Sequence, residues 1–479
     1  MLWIALDFPC LPLETFAPAS AHTEAWAIAD GADVLVCNEQ ARALGVRAGM
    51  RLAAACALAP RLNYRLRDAA AEAATLATLA AWAGQYTPNV SLEPPRALLL
   101  DIEGSLRLFG GIRPILQELK RGLAGMGYSV TMACAPTATA ALLLARAGMQ
   151  KIINCRRALD AVVATLPLAA LACDARTAQT LQAVGVKRIG DLMALPRDGV
   201  ARRCGQPLLD SVDRALGRLP APREFFAPPA LFAAKLELAA PVAHSEALLF
   251  AANRLLTQLT GFLAARNGGV QRFTLTLAHE RGVETTPIEI SLVAPTRDGR
   301  HLTLLVRERL AALALPAPVH ALRIAASDIL VLAQENRELF ADRAGAPGEW
   351  QKLVERLRAR LGAEAVHGLA AQAEHRPERA WRATEPGAAS TAPACGPPPP
   401  RPLWLLAAPQ PLKEIAHRPH YRENALAILA GPERIESGWW DGDDVKRDYF
   451  VAQTPDCATL WIYRERRAPG SWYLHGVFS

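Results

Sequence analysis

The sequence predicts a multidomain α+β protein, on three observations. The chain has 479 residues, 51% of them apolar, whereas a single core rarely grows past about 250 to 300 residues. Two short apolar runs, Leu2 to Leu6 and the stretch PPRALLLDIEGSLRLFGG from Pro94 to Gly111, end in a carboxylate and turn residues, as buried strands do. Between residues 233 and 330 the pattern runs strand, helix, strand, strand, helix, strand, and beyond Arg401 the composition changes again.

A formal net charge of +7 is small for this length and decides little about partners. Its distribution says more. Residues 161–230 carry nine Lys/Arg against six Asp/Glu, and residues 1–110 carry eight against eleven, so a mildly acidic N-terminal part precedes a basic segment. The nine cysteines contain no C-x-x-C and no tight Cys/His cluster, which argues against a zinc site or a disulfide framework and fits a reducing cytoplasm. The N-terminus meets Asp7 and Pro9 too early for a signal peptide. No stretch reads as an apolar run of the roughly 20 residues that a membrane span needs, so no membrane partner is expected.

In chain order, Leu2 to Leu6 reads as a strand closed by Pro9 and Pro12. Val34 to Met50 (VLVCNEQARALGVRAGM) reads as a strand and a helix capped by Gly45. Ala69 to Tyr86 is an Ala-rich helix, and Val90 to Asp101 returns as a strand. The segment LQAVGVKRIGDL, Leu181 to Leu192, reads as helix, glycine turn, helix, with Lys187 and Arg188 at the turn and Arg202 and Arg203 downstream. The next block reads as strand 233–238, helix 245–266, strands 270–279 and 284–293, helix 298–313 and strand 319–330. Phe273, Leu275 and Leu277 alternate as a half-buried strand requires. Trp350 to Leu369 reads as a helix with charged faces, and Arg376 to Pro402 as an Ala/Pro/Gly-rich linker. Five of the ten tryptophans lie beyond Arg401, which implies a small aromatic-rich β module. The expected domains are 1–160, 161–230, 231–333, a connecting segment 334–402, and 403–479.

These stretches carry a resemblance. WIALDFPCLPLE, Trp3 to Glu14, resembles the first motif of the Y-family (DinB/UmuC-like) translesion DNA polymerases, with the first metal-binding Asp falling on Ala5 and the aromatic steric gate on Cys10. Asn38 to Met50 resembles the fingers segment, in which a Tyr and an Arg touch the triphosphate. Here Arg42 remains as a nucleotide-site remnant, and the Tyr position is Glu39, a carboxylate that would repel a nucleotide. Aligning Leu100, Asp101 and the glycine turn with the second motif puts the catalytic Asp-Glu pair on Arg96 and Ala97. ACAPTATAA, Ala133 to Ala141, resembles a turn whose Lys reaches the triphosphate, and that position is Ala138.

The resemblance implies a palm with fingers, a helix-hairpin-helix thumb, a βαββαβ little finger and a β-rich C-terminal module. It also implies that the degenerate positions Ala5, Arg96 and Ala97 no longer hold Mg²⁺, so neither catalytic residues nor a cofactor is expected. Asp7, Asp101 and Glu103 are the candidate substitute ligands. Asp101 and Glu103 lie five to seven residues past the family's pair, roughly 15 Å or more along an extended strand, too far to rebuild a two-metal site. Expected DNA contacts are Gly185, Lys187, Arg188, Gly190, Arg202, Arg203 and Arg272, with Arg323 beside them. Gln334, Asn336, Leu339 and Phe340 resemble a peptide that binds the bacterial sliding clamp.

The match includes the losses that mark the catalytically deficient branch of this family, so the implied function is a DNA-bound, clamp-tethered adaptor in damage-induced (SOS) mutagenic translesion synthesis. Its implied partners are DNA, the beta sliding clamp, a RecA-like accessory, ImuA, and the error-prone polymerase ImuC, in the cytoplasm at the nucleoid. The alternative is an active translesion polymerase that uses displaced carboxylates and Mg²⁺. In the C-terminal module Glu433, Glu436, Asp441, Asp443, Asp444 and His475 imitate a metal or hydrolase cluster, but turns rich in Asp-Gly account for most of them.

Overall fold

The computed structural model describes residues 1–16, 24–171, 173–280, 282–332, 347–388 and 401–478. It divides into two compact units, Met1–Arg360 and Leu361–Ser479. The first unit opens with β1 (Trp3–Asp7) and the short α1 (Leu11–Glu14). A fingers-like subdomain follows: β2 (Trp26–Asp30), β3 (Asp33–Cys37), α2 (Glu39–Ala43), α3 (Leu52–Leu58) and β4 (Asn63–Leu66), with sheet order β3-β2-β4. Asn38 caps α2: its side-chain oxygen accepts from Ala41 N at 2.9 Å and Trp26 N at 3.0 Å, which fixes the helix against the sheet.

The palm is built from α4 (Ala69–Ala83), β5 (Val90–Glu93), β6 (Ala97–Asp101), α5 (Ile112–Met126), β7 (Thr131–Ala135) and α6 (Ala138–Arg146), around an antiparallel sheet of order β5-β6-β1-β7. Residues 90–101, expected as one strand, form a hairpin instead, because Pro94 and Pro95 cannot donate to a ladder and the chain turns there. Alternation along the strands separates two apolar faces. Ile4, Leu6, Leu98, Leu100 and Cys134 belong to the core formed with α4 and α5, whereas Trp3, Ala5, Ala97, Leu99, Ala133 and Ala135 belong to the core formed with α6. That second core continues into the thumb-like helices α7 (Leu159–Ala164), α8 (Ala175–Ala183), α9 (Ile189–Ala194), α10 (Arg197–Cys204) and α11 (Gln206–Ala215).

The little-finger-like module is β8 (Phe232–Val242), α12 (Ser245–Ala265), β9 (Gly268–His279), β10 (Thr286–Thr296), α13 (Gly299–Ala311) and β11 (Val319–Val331), the expected βαββαβ order, folded as a sheet β10-β9-β11-β8. Phe273, Leu275 and Leu277 pack inward with residues of α12 and α13. The helix α14 (Pro347–Leu361) follows, ending short of the expected Leu369. Its Glu355 bonds His301 of α13 and accepts from Val293 N at 2.6 Å.

The 21-residue α12 is long and apolar enough to cross a bilayer, contrary to the expectation that no segment approaches that length. Its composition has another cause: it is buried on two sides. One side packs in the core of its own module and the other meets α4 and α5 of the palm. Trp82 of α4 is 3% exposed and lies between Gly122 of α5 and Gly261 of α12, where a Cβ at either glycine would run into the indole. Arg254 of α12, also buried, donates through Nε to Met126 O at the end of α5 and sits 5.9 Å over the Tyr128 ring.

In the second unit β12 (Gly368–Ala371) pairs with β13 (Trp381–Thr384). A seven-stranded antiparallel sheet has the order β16-β15-β14-β20-β19-β18-β17, from β14 (Trp404–Ile415), β15 (Arg418–Tyr421), β16 (Asn424–Ala425), β17 (Ala427–Ser437), β18 (Val445–Gln453), β19 (Thr459–Glu465) and β20 (Trp472–Val477). Of the five tryptophans, Trp461 and Trp472 are buried in its cores and Trp404, Trp439 and Trp440 are exposed; Tyr449 stacks on Trp461 at 4.1 Å, and Phe450 meets Trp472 at 5.2 Å with the rings tilted. The start of the expected linker belongs to this unit. Arg376 is 1% exposed and bonds Asp441 through both terminal nitrogens, at 3.0 and 2.6 Å.

Because Trp82 joins palm and little finger, Trp82→Ala should lower unfolding free energy by about 3–5 kcal/mol in a denaturant melt, and Gly261→Val should cost about 1–3 kcal/mol by overpacking. Parent-like melts for both would mean that α12 does not rest on the palm.

Candidate functional site

The strand register locates the palm residues expected at a two-metal position. Asp7 of β1 and Glu93 of β5 both pair with Ala97 of β6, so Glu93, Ala97 and Asp7 form one row across three strands. Directly opposed residues of an antiparallel sheet share a face, here the face under α6. Ala5 and Ala97 are fully buried in the apolar core there, so neither presents an oxygen to a cation. Arg96, at the remaining ligand position, donates through Nε to Asp7 Oδ1 at 3.0 Å; the Asp7 side chain is 3% exposed and that of Arg96 39%. Burial pushes the Asp7 carboxyl above its ordinary value, with the Arg96 charge and hydrogen bond as smaller opposing effects.

The substitute carboxylates are not gathered. Asp101 pairs with Trp3, four residues along β1 from Asp7, about 13 Å of strand. Its Oδ1 accepts from Glu103 N at 3.3 Å, and Glu103 pairs with the N-terminal amine of Met1. Among the described residues no group of three or more His, Cys, Asp or Glu is placed to hold a metal ion.

The other nucleotide-site positions have packing roles. Cys10 caps α1, and burial raises its thiol pKa. Glu14 is buried and accepts twice from Ser129 N at 3.0 Å. Ala138 is buried beneath the thumb, where the adjacent Thr137 donates to Ala215 O at 2.7 Å. Arg42 and Glu39 lie exposed on α2, and Arg42 is near enough to Cys10 to favour its thiolate.

In the thumb the expected turn forms, but its amides are not free for a phosphate. Asp191 Oδ2 accepts from Lys187 N at 3.0 Å and Arg188 N at 2.8 Å, and these bonds, Arg188 first, lower its pKa. The two glycines expected as DNA contacts are structural. Gly185 takes the positive φ of 84° that ends α8, and a Cβ on Gly190 would meet Ala164 O at 2.9 Å. The basic side chains around the turn are exposed. Lys187 and Arg188 flank the turn, and Arg202 and Arg203 line a groove of about 500 Å³ with Thr180, Leu181 and Val184.

On the little-finger sheet Arg272 and Arg323 are exposed on the face away from the core. Arg272 lies 3.6 Å from Glu289 and 4.0 Å from Asp328, exposed pairs that hold it weakly. The clamp-peptide residues Gln334, Asn336, Leu339 and Phe340 lie outside the described residues. In the C-terminal unit the acidic residues that imitate a site each pair with arginine: Glu433 with Arg401, Glu436 with Arg466, Asp441 and Asp443 with Arg379, and Asp444 with Arg467. His475 is buried, its Nδ1 2.8 Å from the Tyr449 hydroxyl.

Three residues escaped sequence reasoning: Glu93 and Arg146 of the palm, and Arg223 between thumb and little finger. Arg223 bonds Glu93 and donates to Thr139 Oγ1 at 3.3 Å, and Arg146 stands within electrostatic reach of Asp7, Glu93, Arg96 and Arg223. Arg146 gave one signal, as the only charged residue in the helix ATAALLLAR.

Replacing Lys187 and Arg188 by Ala should reduce the salt slope of DNA affinity by about one per residue; an unchanged slope would exclude the hairpin as a contact. A second expectation concerns pH. A raised folded-state pKa means that the ionised Asp7 opposes folding, a cost absent below the ordinary 3.8 and complete above the raised value. Asp7→Asn should therefore keep or raise Tm at pH 7 and converge with the parent at acid pH, whereas a variant less stable only at neutral pH would reverse the assignment.

The family described as impB/mucB/samB (IMS) matches residues 15–146. Protein ImuB of Caulobacter vibrioides, from two strains, is 30% identical over 460 residues, which is 91% of this chain and 100% of the relative. Among solved structures, a Dbh-Dpo4-Dbh Y-family DNA polymerase chimera is 16% identical with a TM-score of 0.40, covering 69% of this chain and all of its own. DinB from Sulfolobus solfataricus is 18% identical with a TM-score of 0.38, covering 70% and 100%. With its palm, fingers, thumb and little finger in this order and a curated relative matched over its whole length, the chain belongs to the ImuB family of Y-family DNA polymerase homologues.

Proposed function

We propose that this protein is a non-catalytic, DNA-binding adaptor for damage-induced error-prone translesion synthesis. One observation carries the reading: the guanidinium of Arg96 is bonded to Asp7 beside the buried methyls of Ala5 and Ala97, where two Mg²⁺ ions would need carboxylates. Without them no metal lowers the pKa of a primer hydroxyl or bridges a triphosphate, so no cofactor is required. The separation of Asp7 from Asp101 and Glu103 speaks against the displaced-carboxylate polymerase.

On this reading the protein works by position, in the cytoplasm at the nucleoid. Exposed arginines and Lys187 hold DNA without reading sequence, and Gln334, Asn336, Leu339 and Phe340 bind the beta sliding clamp, with Leu339 and Phe340 as apolar anchors. Non-specific DNA affinity of about 10⁻⁴ to 10⁻⁶ M leaves a protein spread over the chromosome, and a clamp tether raises the effective concentration of its other partners to roughly mM. Those partners are the RecA-like accessory ImuA and the polymerase ImuC, which performs the synthesis.

The purified protein should extend no primed template with Mg²⁺ or Mn²⁺, and Leu339→Ala with Phe340→Ala should abolish clamp capture while leaving the melt and DNA affinity unchanged. Template-dependent extension would refute the non-catalytic reading, and normal clamp capture by the double variant would move the peptide elsewhere.

A further inference from the structure

The row that replaced the metal site is rich in positive charge. Two carboxylates, Asp7 and Glu93, pair with Arg96 and Arg223, and the guanidinium of Arg146 at the end of α6 stands within electrostatic reach of all four. The net charge is one positive unit, the same as three carboxylates holding two Mg²⁺ ions. The retired palm has therefore lost its metals without losing the electrostatic attraction that a metal-loaded site offers a phosphate.

The three arginines are not equivalent. Arg96 and Arg223 each have a carboxylate partner, whereas Arg146, the last residue of α6, is half-buried and makes no hydrogen bond or ion pair among the described residues. Burial outweighs the attraction of Asp7 and Glu93 and lowers its pKa. A desolvated guanidinium without a partner gains more from an oxyanion than a surface one does, and its planar fork suits two phosphate oxygens. Arg146 and Arg96 each keep part of their surface in solvent, Arg96 with 39% of its side chain.

We infer that the arginine cluster of the former metal site binds a phosphate group without any metal ion, with Arg146 as its principal contact. The ligand class is a phosphate ester, supplied either by a free nucleoside triphosphate or by the DNA backbone. This rests on the non-catalytic reading of the palm, since a two-metal site would need carboxylates where the guanidinium groups now stand.

The test is fluorescence anisotropy in EDTA, with a labelled nucleoside triphosphate in one arm and a labelled primer-template duplex in the other, on the full chain and on Arg146→Gln and Arg146→Lys. Loss of about tenfold in affinity on Arg146→Gln, as for a charge-assisted hydrogen bond, with most of the affinity kept by Arg146→Lys, is the expected result. Loss in the first arm assigns the nucleotide. Loss in the second, with a salt slope lower by about one, assigns the backbone. Tripolyphosphate should displace the affected ligand from the parent protein, a readout that needs no variant to fold. Unchanged binding in both arms, a requirement for Mg²⁺, or no competition by tripolyphosphate overturns the inference. Primer extension on the same preparation separates the two readings. Extension with Mg²⁺ refutes the proposed function, whereas no extension with Arg146-independent binding removes only the phosphate site.

Discussion

The palm depends on the ion pair between the Arg96 guanidinium and the buried Asp7 carboxylate, which the proposed function reads as a replacement for bound metal. Strand β1 is central in its sheet and Asp7 is its last residue, buried against a row that also holds Glu93. A carboxylate so desolvated needs a cation, and Arg96 supplies one from the neighbouring strand end. The methyls of Ala5 and Ala97 then allow α6 and the thumb to close over the same face as an apolar core. A carboxylate at position 5 or 97 would be buried there with no cation to neutralise it.

Packing on the opposite face of the palm has its own consequence. Helices α4 and α5 cover it, and α12 of the little finger lies on them around Trp82. A helix with the length and composition of a membrane span is thus explained by burial on two sides. The segment between thumb and little finger is tied down as well: Phe226 N donates to Val90 O at 2.7 Å, and Arg223 holds Glu93.

Much of this was legible in the sequence because it is local. The alternation of Phe273, Leu275 and Leu277 and the helix read at 245–266 mark the little finger to within a few residues. What was not legible is what long-range contact decides. Arg223 lies 130 residues from Glu93, and nothing in its own segment names that partner. Lys187 and Arg188 read as turn residues of a helical hairpin, and only the fold shows that Asp191 accepts from both of their amides. Gly190 reads as a turn residue and is a packing residue. Arg376 reads as the start of a linker because its partner Asp441 is 65 residues away.

Exchange of bound metal for arginine is tested most directly by Mn²⁺ binding, read from the loss of the free-ion electron paramagnetic resonance signal. The account predicts that the parent protein leaves the free Mn²⁺ signal unchanged, and that the triple variant Ala5→Asp, Arg96→Asp, Ala97→Glu gains a site. A parent site that Asp7→Asn abolishes would contradict it.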